Sequence, residues 1–334
     1  MSRRGKPATL SIDTVKDLGV ACFLIAFLSM VSASPEPAQL RQIQSGSVQE
    51  PITPIPTTPA LDLRRAGLGE QLFADRRLSH DDKRSCQSCH DTETNGATSN
   101  AHDTSRDGNP LKLNTPTIFN VGLNYLIDWE GDLRSLERQA EQVLQNPEIM
   151  ASSVDEVLSK LRADPEMVRR FGAAYGKEPD RSALLDAIAA FERSLVTPSR
   201  FDRFLAGDRN AITPEELSGY RLFKSLGCVA CHQGVNVGGN LFQRHGIFHP
   251  LGSPDPQVLR VPSLRNVATT APYFHDGSAP TLPDAVRAMG FAQLDRALTD
   301  QQIAAIVAFL NTLTGTYRGH AVSAASGASR EGLQ

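Results

Sequence analysis

The 334-residue sequence predicts an all-α protein built as two like halves in tandem. Three observations predict it. C-x-x-C-H occurs twice, as Cys86-Gln87-Ser88-Cys89-His90 and as Cys228-Val229-Ala230-Cys231-His232. The same landmarks flank each copy in the same order. Between them apolar residues recur at helical spacing, and no sustained period-2 run interrupts them.

The repeated motif is the attachment pattern of c-type haem. Two thiols one helical turn apart each bond a vinyl carbon of the porphyrin, and the adjacent imidazole lies under the ring and binds iron. A zinc ribbon needs four ligands per site and no fixed His beside the second Cys. A thioredoxin-type pair does not need that His either. The reading is therefore two covalent haems, held by Cys86, Cys89, His90 and by Cys228, Cys231, His232. Of five cysteines four sit in the motifs and the fifth, Cys22, lies in an N-terminal apolar run, so none is left for a disulfide framework.

Taken in order, Arg3, Arg4 and Lys6 precede the apolar run Leu18 to Ala33, which ends in the small-residue pattern Val31-Ser32-Ala33. Residues 1–33 read as a secretory signal peptide cut after Ala33. The run is shorter than the roughly 20 residues of a spanning helix; an uncleaved anchor is the alternative. Export to the periplasm agrees with the haem reading, because c-type haem is attached outside the cytoplasm. A net charge of −3 gives no argument for nucleic-acid binding. Residues 34–60, rich in Pro, Ser, Thr and Gln, read as an extended lead-in. The two haem domains are expected at 61–199 and 200–318, with Thr197-Pro198-Ser199 as the hinge region between them. Residues 319–334, rich in Ala, Ser and Gly, read as a disordered tail.

Each half opens on G-x-x-L-F, as Gly69-Glu70-Gln71-Leu72-Phe73 and Gly219-Tyr220-Arg221-Leu222-Phe223. Downstream, Pro116-Thr117-Ile118-Phe119-Asn120-Val121 matches Pro262-Ser263-Leu264-Arg265-Asn266-Val267. At a constant offset Trp129-Glu130-Gly131 then falls over His275-Asp276-Gly277. The difference between Trp129 and His275 marks where the halves specialise. Leu136, Ala140, Val143 and Leu144 predict one helix, and Leu184, Ile188, Phe191 and Leu195 another. Thr213-Pro214-Glu215-Glu216, Thr281-Leu282-Pro283-Asp284 and Thr299-Asp300-Gln301-Gln302 are helix starts, the last feeding Ile303, Ile306, Val307 and Leu310.

From about Leu61 to Leu313 these residues resemble the bacterial di-haem cytochrome c peroxidase family. The most specific carriers are Arg260 to Val267, the run Ala271-Pro272-Tyr273-Phe274-His275-Asp276-Gly277-Ser278, Asn114-Thr115-Pro116-Thr117 and Trp129-Glu130-Gly131. The resemblance implies two cytochrome c-like haem domains in tandem, with a calcium ion and a tryptophan between the haems. It implies that electrons from a small donor protein, a cytochrome c or a cupredoxin, arrive at the C-terminal haem, and that hydrogen peroxide is reduced at the N-terminal one. Relatives of this architecture instead oxidise Trp or Tyr side chains of a partner protein through a high-valent iron state. A pure di-haem electron carrier is a third reading, and pairing into a homodimer is left open.

Within the resemblance, Met289 falls where the second axial ligand of the C-terminal haem is found; a core methionine on the face of Leu282 and Val286 is the alternative. Trp129, the sole tryptophan, stands where the family has its electron relay, and His275 joins it as a catalytic candidate. Asn114, with the carbonyls of Thr270 and Pro272, matches a calcium shell, or else caps the turn before Pro116. His102 is the candidate distal ligand of the first haem, or an exposed loop residue. The family tends to carry its acid/base carboxylate one position beyond Glu148, where this chain has Ile149. One residue on a helix is a rotation of about 100°, so Glu148 is either the acid/base through a reshaped loop or a solvent-facing side chain.

Overall fold

The computed structural model describes residues 50–56, 61–252 and 258–325. The signal-peptide reading and Cys22 lie outside the described residues. No helix among them is long and apolar enough to cross a membrane.

The first half runs from α1 (Leu63–Ala74) through a 3-10 turn at Cys86–Ser88 and another at Val121–Leu123. It continues into α2 (Leu136–Gln145), α3 (Val154–Arg162), α4 (Pro165–Tyr175) and α5 (Arg181–Ser194). The second half runs from α6 (Arg200–Leu205) and α7 (Pro214–Ser225) to 3-10 turns at Cys228–Ala230 and Val267–Thr269. Between those turns β1 (Phe242–Arg244) pairs antiparallel with β2 (Val258–Arg260). Helices α8 (Leu282–Leu294) and α9 (Asp300–Asn311) complete it. Helix starts follow from local chemistry. The Asp62 carboxylate accepts from the N–H groups of Arg64 and Arg65 ahead of α1. Thr213 and Glu216 cap one another's backbones at 3.2 and 2.8 Å, and Thr299 with Gln302 does the same at 3.2 and 2.9 Å.

In both halves the helix that carries G-x-x-L-F packs along the last, α1 on α5 and α7 on α9. The glycine of G-x-x-L-F sits at the crossing. A Cβ on Gly69 would lie 1.9 Å from the Ala187 carbonyl oxygen, and one on Gly219 would lie 1.9 Å from that of Ala305. Only glycine lets these backbones touch. Leu72, Leu161, Phe171 and Leu184 fill the first core, and Phe201, Tyr220 and Phe309 fill the second.

The expected hinge is instead a buried clasp. Thr197 is fully buried, and its hydroxyl oxygen accepts from Asn120 Nδ2 at 2.7 Å and from Asn266 Nδ2 at 2.9 Å. These are the matched asparagines of the repeat. Both adopt left-handed backbone, φ 62° and 61°, at the start of their 3-10 turns. That conformation is one asparagine tolerates better than most residues.

Two boundaries also differ from expectation. Residues 50–56 of the lead-in are docked on the second half. Ile52 is fully buried, Gly234 N–H donates to Pro51 O at 2.8 Å, and Ile55 N–H donates to Asp202 Oδ1 at 2.8 Å. Asp202 takes a two-pronged ion pair from buried Arg265, both contacts 2.9 Å. Burial alone would raise that carboxyl, but Arg265 and the surrounding N–H donors hold it below the usual range. At the other end, residues 319–325 do not form the expected disordered tail. β3 (Thr316–Tyr317) pairs with β4 (His320–Ala321), Val322 is buried beside Phe73, Phe119 and Phe191, and Arg318 grips Glu70 with two contacts of 2.7 Å. One buried valine, the hairpin and the Arg318–Glu70 pair tie an otherwise exposed segment down.

The glycine crossing gives a paired test on one helix. Gly69→Ala should destabilise the holoprotein by about 1–3 kcal/mol, the usual cost of overpacking. Gly67→Ala meets nothing within 4 Å and should stabilise it by about 0.5–1 kcal/mol through the lower chain entropy of alanine. Denaturant melts of the two variants check the opposite signs.

Candidate di-haem site

A cavity of about 760 Å³ runs past both C-x-x-C-H motifs, with Trp129, His275 and Met289 also in its walls. In each motif a tight turn brings the second cysteine back on the first: Cys89 N–H donates to Cys86 O at 3.2 Å, and Cys231 N–H to Cys228 O at 3.3 Å. The following residue is held the same way, His90 to Cys86 O and His232 to Cys228 O, both at 3.0 Å.

The imidazoles are prepared for a metal. His90 Nδ1 lies 3.2 Å from Gly96 O, and His232 Nδ1 lies 3.3 Å from Val237 O. A ring that donates Nδ1–H to a carbonyl keeps its Nε2 lone pair for a ligand bond. Burial pulls both rings below the usual histidine range, His232 to about 4, so both are neutral. The four thiols form no disulfide. Burial pushes Cys86 and Cys89 up to about 12 and Cys228 to about 11, the opposite of the lowered values of a redox pair. Among the described residues no group of three or more His, Cys, Asp and Glu is placed to hold a metal ion directly. A large apolar cavity with paired thiols and neutral imidazoles fits haem and fits neither zinc nor dithiol chemistry.

Comparison with known proteins agrees. Residues 64–210 match the family described as di-haem cytochrome c peroxidase, and residues 217–314 match the cytochrome c family. A cytochrome c551 peroxidase of Nitrosomonas europaea is 40% identical over 286 residues, covering 80% of this chain and 85% of that protein. The chain belongs to the di-haem cytochrome c peroxidase family. This peroxidase-family chain is also 30% identical over 290 residues to the methylamine utilization protein MauG of Methylorubrum extorquens, covering 78% of this chain and 81% of that one. A crystal structure of a MauG-like protein associated with microbial copper homeostasis superposes with a TM-score of 0.66 at 27% identity, over 79% of this chain and 93% of that one.

Against that family frame, the structure brings Trp129 and His275 together. Their rings meet edge to face with centroids 4.4 Å apart. The matched positions of the two halves are thus in contact with one another. Trp129 Nε1 donates to Asn114 O at 2.8 Å, and Asn114 N–H donates to His275 O at 2.7 Å. Arg260 covers the indole at 4.9 Å from its centroid, while His275 Nε2 lies 2.9 Å from Arg260 O. Burial pulls His275 down to about 4 and Arg260 down to about 10. A neutral imidazole and a cation therefore flank the one indole of the chain. The sequence reading named Arg260 as a carrier of the resemblance but gave it no role at the indole.

Met289 lines the cavity and is absent from the core cluster that takes its helix neighbours Leu282 and Val286. Asn114, Thr270 and Pro272 line the same cavity. Two candidates do not arrive. Glu148 is exposed and outside the lining, where Ile149 stands instead. Its loop is fixed by Glu148 N–H to Asn146 Oδ1 at 2.8 Å and by Arg106 N–H to Glu148 O at 2.9 Å. The carboxylate is thus solvent-facing and not part of the cavity lining. His102 does not line the cavity either. Its neighbour Asp103 does matter: buried, and accepting from Thr98 Oγ1 at 2.9 Å and Asn100 Nδ2 at 3.0 Å, it acts on the charge of His90.

The site predicts a composition. A pyridine haemochrome assay should return two haems per chain, with one lost in Cys86→Ala/Cys89→Ala and the other lost in Cys228→Ala/Cys231→Ala. A single haem in the parent protein would contradict the whole site.

Proposed function

We propose that this chain is a periplasmic peroxidase that reduces hydrogen peroxide to water with electrons from a small redox protein, a cytochrome c or a cupredoxin. The contact between Trp129 and His275, inside one cavity that touches both motifs, carries the reading. The haems supply the redox chemistry when bound. His232 and Met289 would hold the second iron, and a thioether paired with imidazole raises its potential, as suits an electron-accepting site. Trp129, fixed by its bond to Asn114 and covered by Arg260, offers the path toward the first site. His90 would hold the iron at which peroxide binds.

Calcium belongs to the same proposal. Asn114 donates its amide N–H groups to Asn100 O at 2.9 Å and Ala101 O at 3.1 Å. Its amide oxygen is then the group to join the Thr270 and Pro272 carbonyls around a cation that likes neutral oxygens.

One observation favours a second reading. The wall beside Ile149 offers Asn146, Gln139 and Gln142, amides that cannot carry a proton to a departing oxygen. A site short of an acid/base at that wall suits an enzyme that oxidises Trp or Tyr side chains of a partner protein. Stopped-flow spectra of diferric and half-reduced protein mixed with peroxide separate the two. Rapid turnover with reduced cytochrome c supports the peroxidase. A long-lived oxidised form that small donors do not discharge supports the partner-oxidising enzyme, and no reaction at all leaves an electron carrier.

Two substitutions sharpen the proposal. Met289→His should lower the potential of the second haem markedly, because a stronger donor favours ferric iron, and should slow reduction by the donor protein. An unchanged redox titration would make Met289 a packing residue. Glu148→Gln should turn peroxide over at the parent rate; a loss of about 10²–10⁴, the usual contribution of a positioned proton-transfer group, would return Glu148 to the site.

A further inference from the structure

Glu192 is a carboxyl that the proposed reaction leaves unused. It sits in the last turn of α5, 7% exposed, in the wall of the haem cavity. Its Oε2 atom is buried and makes no hydrogen bond. The group that feels it from the first motif is Cys86, whose sulfur carries no charge once it is a thioether. Arg193, next on the helix, is turned to an ion pair with Glu137 of α2. Glu137 acts on Glu192 as a like charge, and α1 meets this helix with Phe73 against Phe191. Among the described residues no ion pair is made to this carboxyl, and Arg193 acts on it only at a distance. Burial pushes it up to about 8, with Arg193 opposing and Glu137 adding to the rise.

A lone carboxyl in an apolar wall is stable when neutral, and is stable as an anion only when a positive charge appears nearby. The neighbouring site offers such a charge. Ferric haem carries one more unit of positive charge than ferrous haem.

We propose that Glu192 is the proton-coupling group of the first haem. The carboxylate takes one proton from solvent as the iron held by His90 gains one electron from a one-electron reductant. The carboxylic acid returns that proton to solvent when a one-electron oxidant removes that electron. One charge is cancelled as another appears, so the cavity keeps the same net charge in both states. The proposal needs a haem at Cys86–His90 but no particular oxidised substrate, and its readout does not involve peroxide.

The test is a redox titration of the two-haem protein at a series of pH values. In the parent, the potential of the first haem should fall as pH rises between the two carboxyl pKa values, those of its ferric and ferrous states. The limiting slope is a tenfold change in the reduction equilibrium per pH unit, about 59 mV for one electron. In Glu192→Gln the amide imitates the protonated acid. The first-haem potential should then be flat with pH and close to the parent's low-pH value, while the second haem keeps its own profile. A parent without a slope, or a variant that retains it because haem propionates carry the proton, overturns the proposal. Should the amide variant fail to assemble with two haems, Glu192→Asp decides the point. Its shorter carboxyl must shift the pH window of the slope, and an unmoved window overturns the proposal equally.

Discussion

The hydroxyl of Thr197 is where the two halves of the molecule are made one. It accepts a hydrogen bond from each of the matched asparagines, Asn120 and Asn266, while its own N–H donates to Asn120 Oδ1 at 2.9 Å. Asn266 Oδ1 in turn takes the N–H of Gly315 at 2.9 Å. All three side chains are buried, so breaking any bond strands a polar group at a cost of about 1–3 kcal/mol. From those asparagines the chain runs nine residues to Trp129 and nine to His275. The clasp therefore fixes the origin from which both arms reach toward each other. A flexible junction would let the aromatic contact open and close. A buried junction holds it at one distance.

Much of this was legible in the sequence because it is local or repeated. The haem turns and the three threonine caps each depend on a few adjacent residues, whereas the glycines of G-x-x-L-F showed only as a repeat, their crossing partners Ala187 and Ala305 lying far along the chain. Internal duplication then doubled the signal. Thr197 misled because its partners are 77 and 69 residues away, and Thr-Pro-Ser is ordinary turn chemistry when seen alone. Residues 50–56 misled for a similar reason. Their composition is that of a linker, but Arg265 and Asp202, distant in sequence, build the shelf on which they lie. Glu148 was undecided in sequence because its exposure depends on how the turn after α2 closes. Glu192 gave no sign, since a glutamate beside an arginine near a helix end reads as a solvated face until the fold covers it.

The charges left inside the molecule are of two kinds. Arg265 and Asp202 satisfy each other and serve structure, with Ser199 and two backbone segments completing the network. Arg260 and Glu192 line the cavity without so close a mate: Arg260 donates to the Asp128 backbone carbonyl at 2.6 Å, lies over the indole face and feels the Asp128 carboxylate without an ion pair to it among the described residues. Unbalanced groups of this sort are costly to fold around unless something in the cavity answers them. Two redox centres of changing charge would do so.

The first and last described segments are crossed. Residues 50–56 complete the second half, and residues 316–322 complete the first, where Val322 closes the cluster of Phe73, Phe119 and Phe191. During synthesis the earlier half is thus left with an open apolar face until almost the whole polypeptide has been made. The later half, by contrast, finds its missing strap already waiting. The half whose residues emerge first is therefore the last to have its apolar cluster closed.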